Sequence, residues 1–324
     1  MKKITYILIG VIILFSIIIG ILNKNENSND KYDTIKVAEV THSAFYTPFY
    51  VAIEKGYFQN NNIDIDLILT SGANNVVAAV LSNDVNIGLC GPEATIYVYN
   101  EGEKDYVKTF AGLTKRDGQF IISRNKIDNF TLNDLKNKEV LAGRAGGMPI
   151  INFENALKNE NIKDVNINSS VDFANLTSAF ISGMGDFVNL FEPNATKLES
   201  LGYGYVVASV GAYSGEVPYT AFNARTSYIE NNKELINRFK SAINEGLKYT
   251  LSTDSKTLAK DILKQFPDTS LNDLEKIIDR YKNADSWLSN TLITEKMFNN
   301  LEDMMIDAKL LDKYVSFNDL IINE

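Results

Sequence analysis

A two-lobed α/β fold with a helical C-terminal tail is predicted from three observations. Strand-like and helix-like segments alternate through most of the 324-residue chain. One structural unit recurs at an offset of 101 residues. Beyond residue 230 the apolar spacing is helical throughout. The repeat pairs Gly91-Pro92-Glu93-Ala94-Thr95 with Glu192-Pro193-Asn194-Ala195-Thr196, and Ser71-Gly72-Ala73-Asn74 with Asp172-Phe173-Ala174-Asn175, without a gap. Between 71 and 95 it gives seven identities, at Ala73, Asn74, Ala78, Leu89, Pro92, Ala94 and Thr95. Two matched α/β units facing one another make a cleft, and a cleft of that kind is an architecture for holding a ligand.

The elements follow in order. Residues 35–39 alternate and are β-rich, and they run into the loop Thr41 to Pro48. Phe49 to Phe58 has helical spacing, with Pro48 at the first turn, where a missing N–H does no harm. Ile63 to Leu69 alternates Asp with apolar residues and reads as strand, Asn74 to Leu81 as helix, Val85 to Leu89 as a short buried strand, and Pro92 to Asn100 as helix. This β-α-β-α-β-α order predicts a mostly parallel sheet with helices on its faces. Strand-like pieces follow at 110–112 and 119–124, then a helix start capped by Thr131. The second unit runs through the strand at 139–142, the helix at 150–158, the strand at 164–168, the helix at 175–182 and the strand at 186–190. Strands at 205–210 and 219–223 close it. Amphipathic helices are expected at 233–251, 256–265, 271–282 and 294–308, packed on the first lobe. The predicted organisation is an N-terminal segment over 1–34, a first lobe over 35–122 plus 224–324, and a second over 123–223. Chain crossings at 120–125 and 220–225 would form a hinge.

Composition narrows the function. A net charge of -9 without a basic run argues against nucleic acid as a partner. One cysteine, Cys90, and one histidine, His42, leave no disulfide within the chain and no cluster of soft metal ligands. No phosphate-binding loop, nucleophile elbow or zinc-protease motif occurs, so neither metal nor cofactor is expected. At the N-terminus Lys2 and Lys3 precede Ile4 to Leu22, 19 residues without a charge. That length can span a bilayer, and the positive flank orients the rest of the chain outward. An uncleaved anchor followed by a polar tether is favoured, because no small-residue cleavage site follows; secretion after cleavage is the alternative.

Ligands of open α/β sheets bind beyond the carboxyl ends of the strands, where loops enter helices whose first N–H groups are unpaired. Six loops qualify: 41–48, 70–74 and 90–93 in the first lobe, and 143–149, 170–175 and 191–194 in the second. They supply the candidate ligand contacts His42, Phe45, Tyr46, Gly72, Ala73, Asn74, Gly91, Pro92, Glu93, Arg144, Gly146, Gly147, Met148, Asp172 and Glu192. Gly146 and Gly147 permit close backbone approach, and Arg144 offers a fork for a carboxylate, sulfonate or phosphate. Phe45 and Tyr46 are placed to stack on a planar ligand or, equally, to plug the core. Glu93 and Glu192 could accept hydrogen bonds from a ligand amine, or simply favour helix N-termini. Cys90 reads as a small buried apolar residue and Trp287 as a packing anchor.

Phe49-Tyr50-Val51-Ala52-Ile53-Glu54-Lys55-Gly56-Tyr57-Phe58, Ile63 to Leu67 and Val85-Asn86-Ile87-Gly88 resemble the solute-binding proteins of ABC importers. The branch is the one that takes aliphatic sulfonates, taurine, nitrate and thiamine pyrimidine precursors. The likeness extends over nearly everything after residue 35. It implies a periplasmic-binding-protein fold of the type II, venus-flytrap kind, without catalysis. The expected protein is a monomer on the outer face of a Gram-positive cytoplasmic membrane that delivers a small organic solute to an ABC permease. The chain departs from the family in two places. The lipid-bearing cysteine of most Gram-positive members is missing, and Ala145 to Pro149 stands where sulfonate binders carry a serine-rich loop, so the solute class does not transfer. A ligand-sensing domain for a membrane partner, or an enzyme resembling the thiamine-pyrimidine synthase, are the alternatives; a single cysteine and a single histidine weigh against the enzyme.

Overall fold

The computed structural model describes residues 32–323; the expected membrane segment at 4–22 lies outside the described residues. In chain order the strands are β1 (Asp33–Glu39), β2 (Ile63–Leu69), β3 (Ile87–Cys90), β4 (Val107–Thr114), β5 (Phe120–Ser123), β6 (Glu139–Leu141), β7 (Asn166–Asn168), β8 (Phe187–Leu190), β9 (Tyr205–Ser209) and β10 (Thr220–Arg225). They form two five-stranded sheets, ordered β2-β1-β3-β10-β4 and β7-β6-β8-β5-β9. In the first, β1 lies parallel to β2 and β3, and β10 runs antiparallel between β3 and β4. The second repeats the plan: β6 is parallel to β7 and β8, and β5 is antiparallel between β8 and β9. β3 and β8 are buried along their whole length, as central strands covered on both faces must be, which is why each is an unbroken short run dominated by apolar residues. The sequence repeat falls on these strands and the helices that follow them, Glu93–Asn100 and Asn194–Ser200.

Where expectation and structure differ, local backbone explains most of it. The helix expected over 49–58 breaks into Thr47–Glu54 and Tyr57–Asn60, because Gly56 takes φ 75° and turns the chain. The start at Thr131 is a single 3-10 turn, Leu132–Leu135, whose Asp134 carboxylate accepts the Thr131 backbone N–H at 2.8 Å. The turn stops there because Lys136 is already extended. Asp164 adopts φ 61°, so β7 starts only at Asn166. The crossings also lie earlier than expected. Phe120 already pairs with Leu190 and Thr220 already with Thr114, so the chain changes sheet between 114 and 120 and returns between 209 and 220.

The tail packs on the first lobe as expected, and it reaches the second lobe as well. The helix Lys233–Ser252 lies so close to the first lobe that a Cβ on Gly246 would come within 2.2 Å of the Pro48 carbonyl oxygen. The helix Leu271–Asn283 reaches across to the second lobe. Arg280 bonds Glu192 at 2.8 Å and Glu199 at 2.7 Å, and the Tyr281 hydroxyl accepts the Glu192 backbone N–H at 3.1 Å. Asn300 donates to the Glu216 carbonyl oxygen of the return crossing, and Asp307 pairs with Lys158 of the second lobe. Helix spacing reveals the apolar face of a helix; it carries nothing about which lobe an exposed Arg on that helix will meet.

Candidate functional site

Between the sheets lies a cavity of about 380 Å³. Its first-lobe wall is Val40, Thr41, Tyr46, Ser71, Gly72, Ala73, Gly91 and Glu93. The opposite wall is Arg144, Gly147, Met148, Pro149, Asp172, Phe173, Ala174, Asn175 and Phe191, and Tyr219 and Thr220 of the return crossing complete the lining. All but Val40, Tyr219 and Thr220 come from the six loops picked out by the strand-end rule.

Of the sequence-derived candidates, Tyr46, Gly72, Ala73, Gly91, Glu93, Arg144, Gly147, Met148 and Asp172 line this space. Asn74 and Gly146 instead line a more open groove of about 940 Å³ beside it, which Arg144 borders too. There the Tyr97 hydroxyl of the first lobe donates to the Gly146 carbonyl oxygen at 3.0 Å, so Gly146 joins the lobes through its backbone. Pro92 precedes the Glu93–Asn100 helix, and its carbonyl oxygen accepts from the Thr95 hydroxyl.

Three candidates have their side chains committed elsewhere. Phe45 is a core plug: it is fully buried, with its ring 5.7 Å from those of Tyr46, Phe191 and Tyr219 and 5.2 Å from that of Tyr281. Its carbonyl oxygen accepts the Trp287 indole N–H at 2.8 Å, which makes Trp287 the anchor that its sequence context suggested. Glu192 turns away from the cavity to bind Arg280 and the backbone N–H and hydroxyl of Thr196. Its own carbonyl oxygen takes the Ser43 hydroxyl at 2.6 Å, a bond between lobes.

His42 is the third. Its Nδ1 lies 2.6 Å from the Glu39 carboxylate and its Nε2 lies 2.9 Å from the Gln265 carbonyl oxygen. A carboxylate and a carbonyl oxygen both accept, an arrangement that suits an imidazole with hydrogen on both ring nitrogens. Burial disfavours that charged form, but the Glu39 and Gln265 contacts outweigh it and raise the pKa above 6.5. A raised folded-state pKa stabilises fully below the unfolded value and is lost as pH rises through the folded one. Chemical denaturation should therefore show wild type losing more stability than His42→Gln between pH 6 and pH 9. Parallel losses would show that the imidazole is not charged in the fold.

Gly91 shows how tightly the lobes approach. A Cβ there would come 2.0 Å from Glu93 Oε2 and 2.6 Å from Met148 Cγ of the opposite lobe. Glu93 is buried, and its Oε2 has no hydrogen-bond partner among the described residues. Burial pushes its carboxyl up to about 7, against the pull of backbone N–H groups, that of Met148 included, and of the Arg144 charge. Arg144 itself is exposed. At the crossings, Asp117 is also buried and pushed well above its ordinary value; the Gln119 backbone N–H donates to Oδ1 at 2.6 Å and the Tyr219 hydroxyl faces the carboxyl. Neither Asp117 nor Tyr219 stands out in the sequence, since each is one polar residue in an unremarkable linker.

Comparison with known proteins agrees with the two-sheet fold. The chain is 40% identical over 293 residues, 90% of its own length and 88% of the relative's, to the binding protein YtlA of Bacillus subtilis (strain 168). The alkanesulfonate-binding protein SsuA of Xanthomonas axonopodis pv. citri, solved bound to MOPS, superposes with a TM-score of 0.70 at 14% identity, covering 90% of this chain and 98% of that one. The ligand-binding component of an ABC-type import system from Staphylococcus aureus gives a TM-score of 0.68 at 15% identity, covering 90% and 97%. At such identities the superpositions speak for the fold: a two-lobed periplasmic-binding-protein architecture. With residues 43–256 matching the NMT1/THI5-like family description and that architecture around the cleft, the chain belongs to the NMT1/THI5-like family.

Proposed function

We propose that the protein is an extracytoplasmic solute receptor of an ABC importer, which closes its lobes on a small organic molecule and presents it to a membrane permease. The carrying observation is the cavity of about 380 Å³ enclosed by loops of both lobes, since a ligand that touches both walls binds best when they are shut. Its lining joins aromatic faces, Tyr46, Phe173, Phe191 and Tyr219, with few charged groups, Glu93, Arg144 and Asp172, the usual make-up of a small-molecule site. No constellation of nucleophile, base and orienting group lines it, and binding rather than catalysis is the consistent reading. The apolar segment at 4–22 would hold the receptor at the outer membrane face.

Thermal denaturation of the full-length protein with sulfonates, nitrate, aminopyrimidines and short amides is the direct test. A ligand at a hundredfold its Kd adds about 2.7 kcal/mol, a shift of several degrees; a flat response to all four would sink the receptor reading. Gly147→Phe locates the site. Gly147 is extended at φ -97°, and a Cβ there meets only Pro149 Cδ at 3.6 Å and the Arg144 carbonyl oxygen at 3.9 Å, so the fold tolerates a side chain. Its ring would occupy the cavity. Solute binding should be lost while the melting temperature of the unliganded protein stays within a few degrees; undiminished affinity would place the solute elsewhere.

A further inference from the structure

We infer that the cleft selects solutes that present an N–H donor to Glu93, such as an amine, amidine or amide, and turns away acceptor-only anions. The inference rests on the receptor reading and deepens it. A helix N-terminus facing a cleft is ordinarily a place for an anion, because its first N–H groups are unpaired and carry partial positive charge. The helix Met148–Asn159 is such an element on the second-lobe wall. Its end is already met by a carboxyl group of the protein. Glu93 reaches from the first lobe, over Gly91, to the backbone N–H of Met148. A sulfonate or nitrate arriving here would meet a carboxylate in the place it would itself occupy.

The free oxygen of that carboxylate supplies the second half of the argument. Oε2 is buried and without a hydrogen-bond partner among the described residues, and Glu93 belongs to the cavity lining. A buried carboxylate oxygen without a donor is costly, and a solute N–H is the group that relieves the cost. Asp172 adds a second acid to the same lining. The charged and titratable groups that act on or are acted on by Glu93 are Arg144, Tyr46, Cys90, Tyr97 and Tyr219. Arg144 alone among them is cationic, and it stands exposed at the rim, where solvent weakens its hold.

Binding of a cationic donor is then coupled to a proton. With the Glu93 carboxyl near 7 in the empty cleft, the ionised form that a cation requires becomes scarce below that pH. Affinity should fall about fivefold over the first pH unit below 7 and about tenfold for each unit after that.

The test is calorimetry and thermal shift on the full-length protein in mild detergent with two probe sets. Benzamidine, 4-aminopyridine and acetamide offer N–H groups; methanesulfonate, nitrate and benzoate offer only acceptors. At least one donor probe should bind and no anion should. Glu93→Gln should weaken donor binding at least tenfold without lowering the melting temperature of the empty protein, and benzamidine should bind about fivefold more weakly at pH 6 than at pH 7. An anion that binds, or a donor that binds Glu93→Gln as well as wild type, overturns the inference and leaves the receptor reading standing. Silence from both sets removes the receptor reading and the inference with it.

Discussion

Replacing Arg280 with methionine is expected to cost about 3 kcal/mol of folding stability, read as a lower urea midpoint. The reason lies in what would be left behind. The Glu192 side chain is fully buried, and Arg280 is its only ion-pair partner among the described residues, at 2.8 Å. Methionine preserves the bulk of the arginine stem and removes the counter-charge, so the carboxylate keeps only the two donors of Thr196, at 2.8 and 2.9 Å. A buried charge stripped of its partner is among the largest penalties a single substitution can impose. The double variant Arg280→Met, Glu192→Met should recover most of the loss, because an apolar pair in a buried site does about as well as an ionic one.

The same cluster gives the expected pH dependence. Burial alone would raise the Glu199 carboxyl, but hydrogen bonds from Lys276 and Arg280 overcome it and hold the group below its ordinary value of 4.5. A depressed acid stabilises above its unfolded pKa and loses that contribution as pH falls through the folded one. The gap between wild type and Arg280→Met should therefore narrow in acid, below about pH 4.5. A gap that stays constant down to pH 2 would show that the carboxylates are not the partners that matter.

Phe45→Ala should be of similar or greater effect, about 3 to 5 kcal/mol. The ring is fully buried among Tyr46, Phe191, Tyr219 and Tyr281, which come from the first lobe, the second lobe, the return crossing and the tail. It also lies flat on Gly118, where a Cβ would come 2.6 Å from ring carbon Cδ2. No collapse of one wall could fill the hole, since its walls belong to four separate parts of the chain. Melting experiments with and without a bound solute distinguish a core ring from a ligand contact. A core ring lowers both curves together; a contact would lower only the liganded one.

Most of the cavity lining was readable from sequence because one topological rule locates it. Parallel strands all end at the same edge, so finding strand ends finds the loops, and Gly72, Gly91, Glu93, Gly147 and Asp172 followed. Tyr219 and Thr220 escaped for a reason internal to that rule. β10 runs antiparallel, so its beginning, not its end, faces the cleft. Periodicity marks a strand there without giving its direction. His42, Phe45 and Glu192 show the converse limit. They sit in the right loops with side chains turned inward, because Glu39, Tyr281 and Arg280 wait on that side, and those partners are 3, 236 and 88 residues away in sequence. The crossings lie several residues earlier than expected because the apolar spacing marks strands near 119–124 and 219–223 without telling which sheet each one joins.

The placement of β10 also dictates an order of events. β3 and β4 are not paired with one another; β10 lies between them, and Ala221 pairs with Cys90 and Gly112. Asn223 fastens the insertion, accepting the Thr109 hydroxyl at 2.6 Å and donating to carbonyl oxygens of β3. A chain emerging N-terminus first would therefore hold its opening sheet as two fragments until the whole second lobe has been delivered. The lobe that is made first is thus finished last. Before that moment β3 offers an unpaired edge to any neighbour, which gives a chaperone a defined interval in which to act.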